Sequence, residues 1–333
     1  MKNFTHILAL LLWLFFNAAL PAFAEINPNS FLENSEQILQ SENHSKHLDY
    51  FDCILLGLVE GITEYLPISS TGHLLISNEL LGLNSDIPIS DNYSLKEAAF
   101  AYIIIIQAGA ILAVLFLYWK TIFEILMGFI GKNPKGRRLG LLLITAFIPA
   151  AVIGLALNDW IEQQLGDNLI AIALALFLGG IVMLITEKRR KKAPSDQPQS
   201  KLENLDQLNF KQAFSVGLAQ CLALWPGMSR SMVTIIGGYW VGLSPQKAAE
   251  FSFLLGLITL SAASAYKVLT DGAILTQTMP IQPMLLGILV AFISAIYAIR
   301  FLVNCLTLYG LTPFAWYRIV FSFVILLLFL TKI

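Results

Sequence analysis

Two short stretches of the chain concentrate the residue types that can do chemistry. In Glu60-Gly61-Ile62-Thr63-Glu64-Tyr65-Leu66-Pro67-Ile68-Ser69-Ser70-Thr71-Gly72-His73, two carboxylates stand four residues apart, which sets both on one helical face. Leu55, Leu56, Val59, Ile62 and Leu66 surround them, so the pair is hard to leave in water. Burying it uncompensated is costly, and a cation is its natural partner; the competing arrangement is a polar pair facing water at a protein edge. Pro67 then breaks the helix, and the hydroxyls of Ser69, Ser70 and Thr71 cluster. Gly72 is expected to let the chain turn into a second helix, whose N-terminus favours an anion. If that helix starts near Ser70, His73 lies one turn on, placed to accept the Ser70 hydroxyl proton as an activated nucleophile requires. By itself, Ser-Ser-Thr-Gly-His also fits a helix cap followed by a packed histidine.

The second stretch is Pro226-Gly227-Met228-Ser229-Arg230-Ser231. Arg230 offers a planar fork of donors that matches two oxygens of a phosphate and stays charged when buried. Ser229 and Ser231 can donate to the same group. The competing role for Arg230 is a salt bridge to Glu60 or Glu64, which would itself bring the two stretches together. Attack by Ser70 and attack by a water activated by His73 or by a metal use the same residues. Lys267 and Arg300 fall near span ends, where long basic side chains snorkel. Cys53, Cys221 and Cys305 lie in apolar sequence without a CxxC spacing and read as reduced packing residues.

These stretches sit in a chain of 333 residues that is 56% hydrophobic and 13% charged, with mean hydropathy +0.70. That composition excludes a water-soluble domain. A net charge of -1 gives no basic surface for nucleic acid. Runs near the length of about 20 residues that crosses a bilayer occur at Ala98 to Trp119, Leu139 to Leu157, Leu169 to Thr186, Phe251 to Leu269, Met284 to Val303 and Phe314 to Leu330. The expected fold is an all-α membrane protein of six transmembrane helices plus two re-entrant hairpins. Basic residues in the connections Lys132 to Arg138 and Lys188 to Lys192 place both in the cytoplasm, and the acidic stretch with Asp159, Glu162 and Asp167 outside. Residues 1–24 carry the charge, apolar core and small-residue exit of a signal peptide, with an uncleaved anchor as the alternative. Residues 25–50 form a polar lead segment in which His44 and His47 share helical spacing, two histidines without a third ligand.

The membrane part divides into two similar halves, 51–192 and 210–333, joined by a polar linker over 193–209. Gly57-Leu58-Val59-Glu60 through Pro67-Ile68-Ser69-Ser70 parallels Gly217-Leu218-Ala219-Gln220 through Pro226-Gly227-Met228-Ser229. Ala146-Phe147-Ile148-Pro149-Ala150 likewise parallels Ala291-Phe292-Ile293-Ser294-Ala295. Three spans between the copies make the repeat inverted, an organisation that puts sites near the bilayer midplane. The segments Cys53 to Leu83 and Gln212 to Leu243 are too polar and too broken for ordinary spans. Irregular backbone at that depth survives only where protein or trapped water satisfies it, so two hairpins meeting tip to tip are expected.

On these residues, Glu60 to His73 resembles the first signature of the bacterial undecaprenyl-diphosphatase family, also called the bacitracin-resistance BacA family. Pro226 to Ser231 resembles its second. The resemblance covers Phe51 to the C-terminus. It implies an inner-membrane enzyme that hydrolyses undecaprenyl diphosphate to the monophosphate carrier of cell-wall synthesis, with a divalent cation and a periplasm-facing site. Carried onto this chain, it gives Glu60 and Glu64 as ligands of Mg2+ or Ca2+. Ser69, Thr71, Ser229, Arg230 and Ser231 hold phosphate, and Ser70, His73, Glu64 and Arg230 act in catalysis. The partners are the lipid substrate and the bilayer, and a homodimer stays open. Two features depart from the family: Met232 stands where a glycine is usual, and the extension before Phe51 is long. Met232→Gly is therefore expected to leave activity equal or higher. The rival from another class is a polyprenyl-phosphate flippase or secondary transporter, since transporters also use broken helices and inverted repeats.

Overall fold

The computed structural model describes residues 48–90, 92–166, 168–192, 202, 204–278 and 281–331. The expected leader, most of the lead segment with His44 and His47, most of the linker, and Asp167 lie outside the described residues. Eleven α-helices run through the rest: α1 Tyr50–Thr63, α2 Ser70–Leu80, α3 Leu95–Leu117, α4 Trp119–Phe129, α5 Pro134–Leu165, α6 Leu169–Lys192, α7 Phe210–Gln220, α8 Arg230–Trp240, α9 Pro245–Thr278, α10 Ile281–Tyr309 and α11 Thr312–Thr331. Among the described residues, extended pairing is limited to isolated bridges.

Among the described residues, six helices are long and apolar enough to cross a membrane: Leu95–Leu117, Pro134–Leu157, Leu169–Lys191, Pro245–Thr270, Ile281–Tyr309 and Thr312–Leu330. The six expected spans are all present, and most run further than their apolar cores. The stretch from Asn158 onward, expected as a loop, continues α5 as far as Leu165. Polar residues can prolong a helix once it leaves the apolar layer, because every backbone bond stays internal to the helix. Helix α4 is a second departure. Its 11 residues follow α3 after a bend at Tyr118, and they were not anticipated as a separate element.

The two broken segments form the pairs α1–α2 and α7–α8, each split by a short irregular turn. Their starts are fixed by local sequence: Asp49 and Asp52 make a capping box on α1, and Asn209 and Gln212 make one on α7. Their seats are fixed by glycine. A Cβ on Gly57 of α1 would strike the backbone of Gly287 in α10, and a Cβ on Gly217 of α7 would strike Ala146 in α5. Each broken pair thus lies backbone to backbone on the middle span of the opposite half. This crosswise seating brings the turns together.

Candidate active site

Helix α1 stops at Thr63 and α2 starts at Ser70, leaving Glu64 to Ser69 as a turn. Helix α7 ends at Gln220, a short 3-10 stretch Cys221–Leu224 follows, and α8 starts at Arg230. Both turns end in a serine with left-handed backbone, φ 75 at Ser69 and φ 69 at Ser229. Each serine caps the helix after it, Ser69 Oγ accepting from the Gly72 N–H and Ser229 Oγ from the Met232 N–H. The turn residue of the first segment is therefore Ser69, not Gly72. Gly72 lies inside α2, where an added Cβ would meet Ile172, Leu176 and Phe321 at ordinary contact distances.

The turns are tied by charge and by backbone. Arg230 Nη2 donates to Glu64 Oε1 at 2.8 Å, and Arg230 Nη1 donates to the Ser252 carbonyl at 3.0 Å. The guanidinium lies 5.5 Å over the ring of the fully buried Tyr65. Ser231, also fully buried, donates to the Leu66 carbonyl at 3.0 Å and sits 3.1 Å from Ser229 Oγ. The competing role considered for Arg230, a bridge to Glu64, is the one it takes in this state. Thr71, at the first turn of α2, is exposed and makes no hydrogen bond to the other turn.

The nucleophile candidate is placed differently from expectation. Ser70 Oγ donates to Glu64 Oε2 at 2.7 Å. The His73 ring points elsewhere, with Nδ1 2.6 Å from the Ser69 carbonyl and Nε2 2.6 Å from the Tyr317 hydroxyl. A carbonyl only accepts, so in the neutral ring Nδ1 carries the proton and Nε2 accepts from Tyr317. Phe321 stacks on the ring at 4.1 Å between centroids. The aromatic face of α11 clamps the imidazole onto the turn, and the expected hydrogen bond from Ser70 to His73 gives way to one from Ser70 to Glu64.

Among the described residues seven buried side-chain polar atoms have no partner, and Glu60 Oε1, Arg230 Nε and Gln220 Nε2 are the ones nearest the turns in sequence. Glu60 is 1% exposed. An unsatisfied buried acceptor on a carboxylate suits a hard cation. Both oxygens of Glu64 are engaged by Arg230 and Ser70, so the expected Glu60 and Glu64 pair is half available. Among the described residues no group of three or more His, Cys, Asp or Glu side chains is arranged to hold a metal.

Arg318 was missed in the sequence. It is fully buried, and its donors reach the carbonyls of Pro67 at 3.4 Å and Gly227 at 3.0 Å, one from each turn, as well as Leu176 and Ala175 of α6. Gly179 makes room for it, since a Cβ there would collide with the guanidinium. A signal was available: Arg318 is the one charged residue between Thr312 and Leu330, and an intramembrane charge is a functional candidate by default. The Met232 position gives no structural reason for the glycine usual in the family. It is 1% exposed in the first turn of a regular helix, beside Gly179, so its backbone does not need glycine.

A family profile described as Bacitracin resistance protein BacA matches residues 53–324. The chain belongs to the BacA family. The match takes in both turns, the first five spans and α11 as far as residue 324, so the BacA resemblance is not confined to the short motifs. Similar curated relatives include an undecaprenyl-diphosphatase of Ectopseudomonas mendocina, 43% identical over 276 residues, 83% of this chain and 92% of that one. One from Sorangium cellulosum is 40% identical over 279 residues, covering 83% of this chain and 85% of its own. The undecaprenyl-diphosphatase 3 of Acinetobacter baylyi is 39% identical over 284 residues, covering 85% and 99%. As in the expectation from its two signatures, this BacA chain carries both broken turns within one matched region.

Proposed function

We propose that the chain hydrolyses undecaprenyl diphosphate to undecaprenyl phosphate and inorganic phosphate, recycling the lipid carrier of peptidoglycan synthesis. The observation that carries this reading is the pairing of opposite vacancies in one buried site: an unfilled acceptor on Glu60 and an unfilled donor on Arg230. A diphosphate with its counter-cation satisfies both at once. The names of the relatives point to the same substrate, and the bacitracin-resistance description of the family fits removal of a lipid diphosphate.

In this scheme Arg230 holds the terminal phosphate through Nε and its fork, with the hydroxyls of Ser229 and Ser231 beside it. The Ser70 hydroxyl attacks the terminal phosphorus as its proton passes to Glu64 Oε2. The bond from that phosphorus to the bridging oxygen breaks, undecaprenyl phosphate leaves, and water then frees phosphate from Ser70. His73 holds the Ser69 carbonyl and so orients the turn that presents Ser70. A Mg2+ or Ca2+ on Glu60, when bound, would offset the charge of the diphosphate. Phosphoryl transfer asks little of a protein beyond this positioning and charge stabilisation. Each broken helix pair enters and leaves by one membrane face, and with both basic connections in the cytoplasm the site opens toward the periplasm of the inner membrane, as membership of the family implies.

A flippase or transporter would explain broken helices, but it gives no reason for a serine hydroxyl bonded to a buried carboxylate beside an arginine. Purified protein in detergent decides between them, since there is no membrane to transport across. Phosphate release from undecaprenyl diphosphate is expected; folded protein that binds the lipid and releases none would overturn the hydrolase.

A further inference from the structure

Away from the catalytic turns, α4 and the start of α5 build a surface of a different kind. Helix α4 is too short to cross a bilayer, at 11 residues or about 16 Å, and it packs on α5 through glycine. A Cβ on Gly128 would meet the Arg137 backbone, and one on Gly136 would meet Glu124. The opposite stripe of α4, formed by Trp119, Phe123 and Leu126 and continued by Ile130 at its C-terminal cap, is exposed along its length. A short helix with such a stripe at the end of a membrane bundle suits the boundary between headgroups and acyl chains.

Charge is heavily one-sided here. Lys120, Lys132, Lys135, Arg137 and Arg138 are all exposed, against one acid, Glu124, between residues 119 and 138. None of these five basic residues makes an ion pair among the described residues. A cavity of about 260 Å³ opens among them, walled by Gly131, Pro134, Arg137, Arg138, Leu141 and Phe210. Its polar end is set by Arg138, whose Nε and Nη2 hold the carbonyls of Asp206 and Leu208 just before α7. Arg138 also lies 6.0 Å over the Phe210 ring. Below the cavity the surface turns apolar. Leu141 and Ile144 of α5 and Phe210 and Phe214 of α7 are exposed there.

Basic guanidinium groups at the rim, a short helix with an exposed apolar stripe on one side and an exposed apolar track beneath match one kind of molecule in a bilayer. We propose that the cleft between α4, α5 and the start of α7 binds an anionic phospholipid, its phosphate held by Arg137 and Arg138 and its acyl chain laid over Leu141 and Phe210. Phosphate oxygens complement the unpaired positive charge, and a zwitterionic lipid would bring its own cation to the same rim. Because Arg138 also holds the connector that leads into α7, the bound lipid would brace the junction of the two halves. The site shares no residue with the catalytic turns, so its test does not depend on the proposed reaction.

The test is native mass spectrometry of the full-length protein in detergent, titrated with phosphatidylglycerol and with phosphatidylcholine of the same acyl chains. Phosphatidylglycerol is expected to bind at least ten-fold more tightly. Arg137→Gln should weaken it by about five-fold, the effect of one basic residue at a membrane surface. The combined Lys132→Gln, Lys135→Gln and Arg137→Gln variant should bind the two lipids alike. Lys188→Gln with Lys191→Gln, on the other basic connection, should leave the preference intact. Equal affinity of the unmodified protein for the two lipids would overturn the site, and this arm needs no variant to fold. Retained preference in the triple variant would overturn the assignment to Arg137 and its neighbours. Release of the lipid by millimolar inorganic phosphate would show a free-anion site instead.

Discussion

Ser69 and Ser229 adopt the same backbone, φ 75 and ψ 103 in the first, φ 69 and ψ 111 in the second, and each caps the helix it precedes. Left-handed backbone costs a residue with a Cβ roughly 1–2 kcal/mol. Ser69→Gly and Ser229→Gly remove that cost and lose only a few tenths of a kcal/mol in capping. Thermal unfolding in detergent should show both glycine variants as stable as the parent or more so. Ser69→Ala and Ser229→Ala keep the strain and lose the cap, a loss of about 1 kcal/mol. Alanine variants that melt with the glycine variants would sink the backbone explanation.

Arg230→Lys is expected to be severely impaired although it keeps a positive charge. An ammonium cannot reach Glu64, the Ser252 carbonyl and a phosphate with one planar fork. Hydrogen bonds to a charged group are worth about 1.5–3 kcal/mol, so phosphate release should fall roughly ten- to hundred-fold. Normal turnover on undecaprenyl diphosphate would make Arg230 a structural partner of Glu64 only.

Glu60→Gln should abolish most phosphate release while the protein stays folded, because it removes the charge but keeps the size of the side chain. Steady-state turnover measured across added Mg2+ or Ca2+ should show no full rescue. If the parent kept full turnover in thorough chelation, and Glu60→Gln matched it, no cation would act at Glu60.

Arg318→Gln should lower both melting temperature and turnover. The loss frees up to four carbonyls, two of them in the catalytic turns, and a buried unsatisfied group costs about 1–3 kcal/mol. Arg318→Lys, which keeps the charge but reaches fewer carbonyls, should recover part of the stability and little of the turnover. Equal losses of stability and activity in the two variants would reduce Arg318 to a plain packing residue.

Met232→Gly is now expected to harm the protein, against the expectation from family composition. The side chain is buried in α8. Truncation leaves a cavity of the kind that costs about 2–5 kcal/mol, with roughly 1 kcal/mol more for glycine inside a helix. Thermal unfolding settles the sign: a melting temperature equal to that of the parent would mean the neighbours around Gly179 collapse to fill the space.

By itself the sequence determined what depends on composition and near neighbours. The six spans follow from the length and apolarity of their runs, and the breaks before Pro67 and Pro226 from the polar, proline-containing sequence that disfavours a continuous helix there. The pairing of the two turns was legible too, because polar motifs in apolar sequence need each other for burial. Only the tertiary structure decided which polar atoms meet. Whether Ser70 bonds His73 or Glu64 depends on where α11 puts Tyr317 and Phe321, helices remote from both in the chain. Arg318 acquires its role from carbonyls of three separate segments, and Met232 loses the need for glycine because its turn is an ordinary helix. Hydrogen-bond partners are set by geometry within a few tenths of an ångström, and that geometry comes from packing between helices that local sequence does not specify.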